Sequence, residues 1–248
     1  MIELMNLSSP WVIAFAINTI LLTIAYIIPK KLLTPAGYLH AWLLGVIIWG
    51  TLGWRGYALM MFYFFVGSAV TRIGIQQKEA EGIAEKRSGM RGPENVWGSA
   101  LAGTICAILT LLVSSPIKEL LILGYVASLS TKLSDTSASE VGKAYGKSTF
   151  LITTLQPVPR GTEGAISLEG TLAGVVASAA IASLGLGLGI INPIGVIWCI
   201  IAAFIATNLE SVIGATLQNQ WEWLTNEWVN VINTIIGATI AILFGILI

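Results

Sequence analysis

Charge is what this chain has least of. Only 10% of its 248 residues are Asp, Glu, Lys or Arg, against about a quarter in ordinary soluble domains. With a mean hydropathy of +0.82, that scarcity excludes a water-soluble globular protein. The two cysteines, Cys106 and Cys199, both fall inside apolar runs. They exclude a disulfide framework and a thiolate metal site, and read as small core residues. The single histidine, His40, lies at the edge of an apolar run with no second ligand beside it. Zinc sites need three or four converging ligands, so histidine-based zinc chemistry is excluded too. Aspartate also occurs once, at Asp135.

What is there is apolar sequence in bilayer-sized pieces. Eight runs approach the roughly 20 residues that a membrane crossing needs: about 10 to 29, 36 to 53, 57 to 74, 97 to 113, 117 to 138, 169 to 188, 191 to 213 and 229 to 248. The second and third flank "GTLGWRG" and are the least sharply separated. Open-ended spans in lipid satisfy their own backbone polar groups only as helices. The expectation is therefore an all-α, polytopic integral membrane protein of seven or eight spans forming a single domain. The start, "MIELMNLSSPW", has neither a positive n-region nor a small-residue cleavage site, so the first run is expected to be retained. No attached soluble domain is expected.

The few charges are unevenly placed. With the N-terminus outside, Lys30, Lys31, Arg72, Lys78, Lys86, Arg87, Arg91, Lys132, Lys143, Lys147 and Arg160 fall on the cytoplasmic side, and only Arg55 and Lys118 fall outside. The positive-inside bias selects that orientation, which puts the polar segments 75 to 96 and 139 to 168 on the same cytoplasmic face. Trp11, Trp54, Trp97, Trp221, Trp223 and Trp228 lie near run ends, where indole rings prefer the headgroup layer, and "NQWEWLTNEW" reads as a short interfacial helix. At an offset of 72, Gly98-Ser99 matches Gly170-Thr171, and Ser139, Val141 and Gly142 match Ser211, Ile213 and Gly214. This outlines a parallel repeat over 97–147 and 169–219, whose geometry would set Asp135 opposite Glu210.

The densest polar stretch is "KLSDTSASEVGKAYGKST", Lys132 to Thr149. Its end imitates a phosphate-binding loop, but only three residues separate Gly142 from Gly146 and a membrane helix stands where a β-strand must precede. A P-loop is rejected. Lys132, Asp135, Thr136, Ser139, Glu140 and Lys143 follow an i, i+3, i+4, i+7, i+8, i+11 rhythm, so they share one helical face. Ionisable groups at membrane depth usually mark function. Asp135 offers hard oxygen for Mg²⁺, the lysines suit phosphates, and the hydroxyls and amides around Gly142 are expected to complete the contacts. "QQKEAEGIAEKRSGMRGPENVWGS" adds Arg91 and Asn95 before the fourth helix. "QPVPRGTEGAISLEG" adds Arg160, Glu163 and Glu169 before the sixth, where free helix amides attract anions. Alternating cations and carboxylates at one face suit a Mg-nucleotide and a second phosphate.

"SDTSASEVGKAYGK", "RSGMRGPENVWGS" and "PRGTEGAISLEGTLAG" together resemble the membrane phytyl-phosphate kinase family of tocopherol and phylloquinone biosynthesis, a transmembrane family of cyanobacteria, plastids and archaea. The resemblance spans roughly residues 10 to 245. The chain is more distantly similar to CTP-using polyprenol and phytol kinases and to CDP-diacylglycerol synthase. It implies transfer of a phosphoryl group from a nucleoside triphosphate, CTP foremost, to an isoprenyl monophosphate, with Mg²⁺ as cofactor. Asp135 takes the position of the wider group's motif aspartate, and Gly142 and Gly146 of its glycines. On this reading Asp135, Lys132 and Lys143 are catalytic, and Ser139, Gly142, Gly146, Lys147, Arg91, Asn95 and Arg160 hold nucleotide or phosphate. The metal would lie at Asp135 with Glu140, Glu163 or Glu169. The expected partners are the isoprenyl monophosphate, the nucleotide and the bilayer of a plasma or thylakoid membrane; no nucleic acid is expected, and an oligomer stays open. A CTP-dependent cytidylyltransferase and a small-solute transporter are the other classes that these residues allow.

Overall fold

A computed structural model describes residues 9–29, 31–218 and 220–247. Residues 1–8, Lys30, Asn219, Ile248 and the side chains of Lys86 and Ser88 lie outside it, and with them the reading of the N-terminal stretch and two of the cationic positions above. Helices dominate: α1 (Pro10–Ile27), α2 (Pro35–Thr71), a short α3 (Ile75–Ala80), a 3₁₀ turn at Lys86–Gly89, α4 (Pro93–Leu109), α5 (Ile117–Tyr145), α6 (Leu168–Gly187), α7 (Pro193–Thr216) and α8 (Asn226–Ile246). Among the described residues five of these, α1, α2, α6, α7 and α8, are long and apolar enough to cross a membrane.

A straight helix of 37 residues would be about 55 Å long, yet the two ends of α2 meet. Arg72, which caps its C-terminus, donates to the carbonyl of Lys31, ahead of its N-terminus, at 3.4 Å. Arg91 pairs through its backbone with Leu32 and Thr34, while its guanidinium donates to the Tyr63 hydroxyl at 2.9 Å. The chain therefore doubles back at Gly53, whose φ of 67° and ψ of −167° belong to a region that essentially only glycine enters. Two arms of about 27 Å result, accounting for two of the eight runs read from the sequence. The Tyr57 hydroxyl on the returning arm donates to buried Asn18 of α1 at 3.0 Å, which ties the hairpin to α1.

The post of the bundle is α5. Residues 123–135 are buried without interruption, enclosed by α2, α4, α6, α7 and α8. That enclosure explains how a helix in the middle of an apolar bundle can carry Ser128, Ser130, Thr131, Lys132, Ser134 and Asp135. Its polar side chains meet protein rather than lipid, and Ser128 and Ser130 bond back to carbonyls of their own helix at 2.8 and 2.9 Å. Glycines let α6 lie close along it: a Cβ on Gly170 would come within 2.5 Å of the Ala138 carbonyl oxygen.

Smaller expectations divide. Both cysteines are free and buried, and His40 accepts the Trp97 indole N–H at 2.8 Å, a packing role. The interfacial helix expected around "NQWEWLTNEW" is not formed. Residues 220–225 are turn and coil, α8 starts at Asn226, and Trp221 and Trp223 stack on each other in the connection. One element went unforeseen: β1 (Thr149–Leu151) pairs antiparallel with β2 (Ala165–Ser167), a ribbon that carries the chain from α5 into α6.

Candidate functional site

At one end of the bundle the helices part around a cavity of about 940 Å³. One face of α5 supplies Lys132, Asp135, Thr136, Ser139, Glu140 and Lys143, and all six line it. The Lys132 ammonium donates to Asp135 Oδ2 at 2.5 Å and to Asn230 Oδ1 of α8 at 2.7 Å, with all three residues buried. A buried ion pair is tolerable only when further hydrogen bonds satisfy its remaining valences; Asn230 does this for the lysine. It was not among the residues expected from sequence. The available signal was Asn226, Asn230 and Asn233, at i, i+4 and i+7, a polar stripe on an apolar helix.

Glu140 and Lys78 form a second buried pair, at 2% and 0% side-chain exposure. Lys78 also donates to the Thr71 carbonyl at 2.8 Å, and Lys143 approaches the other Glu140 oxygen at 3.8 Å. Glu140, expected as a metal ligand, thus spends its carboxylate on two ammonium groups and fastens α3 to α5. Lys78, expected only as one of the loop cations, is the partner that makes this possible.

From the opposite wall comes Arg91, stacked over Tyr63 and Phe64 with centroid distances of 5.3 and 5.8 Å and fixed in direction by the Tyr63 hydroxyl. Asn95 lines the cavity too. Its side-chain oxygen accepts from the Gly92 amide and from Arg87, both at 3.0 Å, so it caps the start of α4. On α7, Glu210 lies within electrostatic reach of Asp135, Lys132, Glu163 and Lys143. It thereby faces the aspartate across the cavity, although it was not named among the site residues.

The remaining candidates separate. Ser139, Gly142 and Glu163 line the cavity, whereas Gly146, Lys147, Arg160 and Glu169 lie outside its wall. Arg160 is engaged by Glu81 at 2.7 Å. Gly142 falls within α5, so the amides around it are used inside the helix and are not free for a phosphate. Gly146 closes that helix by donating to the Gly142 carbonyl at 3.0 Å.

Does this wall fit a divalent cation? Among the described residues no three His, Cys, Asp or Glu side chains form a metal-binding group. Mg²⁺ does not require one, since it is commonly held by one or two carboxylates together with substrate phosphates and water. Asp135 and Glu210 supply that number, and Thr207 Oγ1, buried without a hydrogen-bond partner among the described residues, is a further oxygen in the same wall.

The family model described as Integral membrane protein DUF92 matches residues 18–238. An uncharacterized membrane protein of Synechocystis, sll0875, is 68% identical over 237 residues, covering 96% of this chain and 92% of that one. Protein VTE6, chloroplastic, of Arabidopsis thaliana is 46% identical over 97% of this chain and 74% of its own. An uncharacterized membrane protein of Methanocaldococcus jannaschii, MJ0933, is 33% identical over 90% and 91%. A cyanobacterium, a chloroplast and an archaeon are the distribution that the motif resemblance implied. No solved structure matches the chain.

Proposed function

This chain belongs to the integral membrane family DUF92, and from that footing we propose that it is a Mg²⁺-dependent kinase that moves a phosphoryl group from a nucleoside triphosphate, CTP foremost, to an isoprenyl monophosphate. The product would be the isoprenyl diphosphate, and phytyl phosphate is the acceptor that the motif resemblance favours, for tocopherol and phylloquinone prenyl supply. One observation carries the reading: the chain's sole aspartate is buried in the wall of a cavity at the end of a membrane bundle, paired with Lys132, with Arg91 and Lys143 lining the same space.

Phosphoryl transfer asks a protein for positioning and charge neutralisation more than for covalent chemistry. Lys132, held from two sides by Asp135 and Asn230, is a preorganised cation. Arg91, held by Tyr63, is another, and fixed donors of this kind cost no reorganisation as charge develops. Asp135 and Glu210 would hold Mg²⁺, which when bound supplies charge neutralisation between the phosphates. An acceptor that is already a phosphate anion needs no general base. The positive-inside bias supports a cytoplasmic position for this end, where nucleotide is available.

The test is one assay. Purified protein with Mg²⁺, labelled CTP or ATP, and phytyl, geranylgeranyl or farnesyl monophosphate should move γ-label into the lipid. If α-label enters instead, with release of pyrophosphate, the protein is a cytidylyltransferase. If neither label moves, the proposal fails.

A further inference from the structure

One face of α7 changes character along its length. Ser211, Asn208, Thr207 and Phe204, at i, i−3, i−4 and i−7, all line the cavity, so that face runs from polar at the mouth to aromatic at depth. The stripe does not stop there. Ile201, Ile197 and Ile194 continue it by steps of three and four residues, and all three are exposed on the outside of the bundle. Phe204 sits at the junction: it belongs to the cavity wall, yet 46% of it is exposed. Half-exposed where the cavity-lining stripe gives way to the outer one, Phe204 puts the rim of the cavity beside the outer surface of α7. Across from it, α6 contributes Gly170, Thr171 and Gly174. Both glycines are pressed against α5, where a Cβ on Gly174 would come within 2.9 Å of Ser134 Oγ, so α6 lies close to α5 along this wall.

We infer that the slot between α6 and α7 is the lateral entrance through which the apolar chain of a lipid phosphate reaches the cavity from the bilayer, with Phe204 as the residue that sorts chains by bulk. The occupant follows from continuity. The inner end of the slot meets the cations of the cavity, Lys132 and Lys143, and its outer end runs onto isoleucines that face hydrocarbon. A ligand that satisfies both ends is an amphiphile with an anionic phosphate and a flexible apolar tail. A water-soluble phosphate would leave the outer half bare, and a neutral lipid would make no use of the cationic groups on the cavity wall. The inference rests on the acceptor class proposed above and adds where the chain enters and what limits it.

The test reads binding separately from turnover. The full chain carrying Phe204→p-benzoylphenylalanine is reconstituted in phosphatidylcholine liposomes containing phytyl monophosphate and irradiated, with Val176→p-benzoylphenylalanine as the control. Val176 lies on α6, 68% exposed and away from the cavity wall. The expected result is a covalent phytyl phosphate adduct at position 204 that excess farnesyl monophosphate suppresses, with only unsuppressed background labelling at 176. Equal labelling at both positions, or labelling at 204 that no isoprenyl monophosphate suppresses, overturns the inference. In the second arm, Phe204→Trp should raise KM for phytyl monophosphate about tenfold, the effect of roughly 1.4 kcal/mol of lost chain contact, with KM for the nucleotide unchanged. Equal changes in both constants, or none, overturn it. A suppressible adduct in a protein that moves no γ-label leaves the entrance standing and sinks the kinase reading, so the two failures are told apart.

Discussion

The Lys78–Glu140 pair gives the sharpest way to separate architecture from chemistry at this site. The single variant Lys78→Met leaves a carboxylate at 2% exposure with one remaining ammonium, that of Lys143 at 3.8 Å. Removing one partner of a buried ion pair typically costs about 3 to 5 kcal/mol, because the other charge stays buried. For a chain of this size that corresponds to a fall in melting temperature of roughly 6 to 20 °C. Replacing both members with apolar side chains of similar volume removes the stranded charge along with the attraction, and such exchanges are often neutral. Lys78→Met with Glu140→Met should therefore recover most of the loss, while Lys143, partly exposed, turns to water. The measurement is thermal unfolding of detergent-solubilised protein for the two single variants and the double. Turnover in the double variant should stay within severalfold of the parent, because Glu140 is placed as a fastener and not as a metal ligand. A single variant within about 1 kcal/mol of the parent would refute the assignment of a buried, mutually dependent pair. A double variant that is stable yet inactive would return Glu140 to the metal site.

Asp135→Asn should cut turnover by about a hundred- to a thousandfold, the scale for losing a preorganised group in a transition-state site. The protein should stay folded but lose stability, by up to about 3 to 5 kcal/mol for the stranded Lys132 charge, less what Asn230 retains; near-parental activity would defeat the proposed function. Asn230→Ala removes a hydrogen bond to a charged group, worth about 1.5 to 3 kcal/mol, so kcat/KM should drop roughly ten- to a hundredfold, and Asn230→Gln should recover part of it if the role is to position the lysine. Gly53→Ala meets no atom within 4 Å of the new Cβ, so its penalty is purely backbone, about 1 to 3 kcal/mol. An unchanged melting temperature would speak against a reversal at Gly53.

Much of the site could be read in one dimension because it sits on one helix. Lys132, Asp135, Ser139, Glu140 and Lys143 share a face by arithmetic, and that face lines the cavity. The loop residues fared differently for a physical reason. Arg160 and Lys147 were selected by charge and nearness in sequence, but a loop cation goes where the nearest carboxylate is, and for Arg160 that is Glu81, 79 residues away. Asn95 was selected as an anion ligand, and the amide that it satisfies belongs to its own helix start. Gly142 and Gly146 looked like a phosphate loop only while the end of α5 was unknown.

Composition and periodicity determined the solvent, the helical class and the end at which the polar chemistry gathers. These are sums over neighbouring residues, and lipid imposes helices on any long apolar run. Tertiary packing alone decided which charges are free to act. Glu140 is cancelled by a lysine 62 residues away, and Lys132 is completed by an asparagine 98 residues away. Those pairings follow from α2 doubling back at Gly53 and from α5 being enclosed by five other helices, and burial makes each of them energetically obligatory.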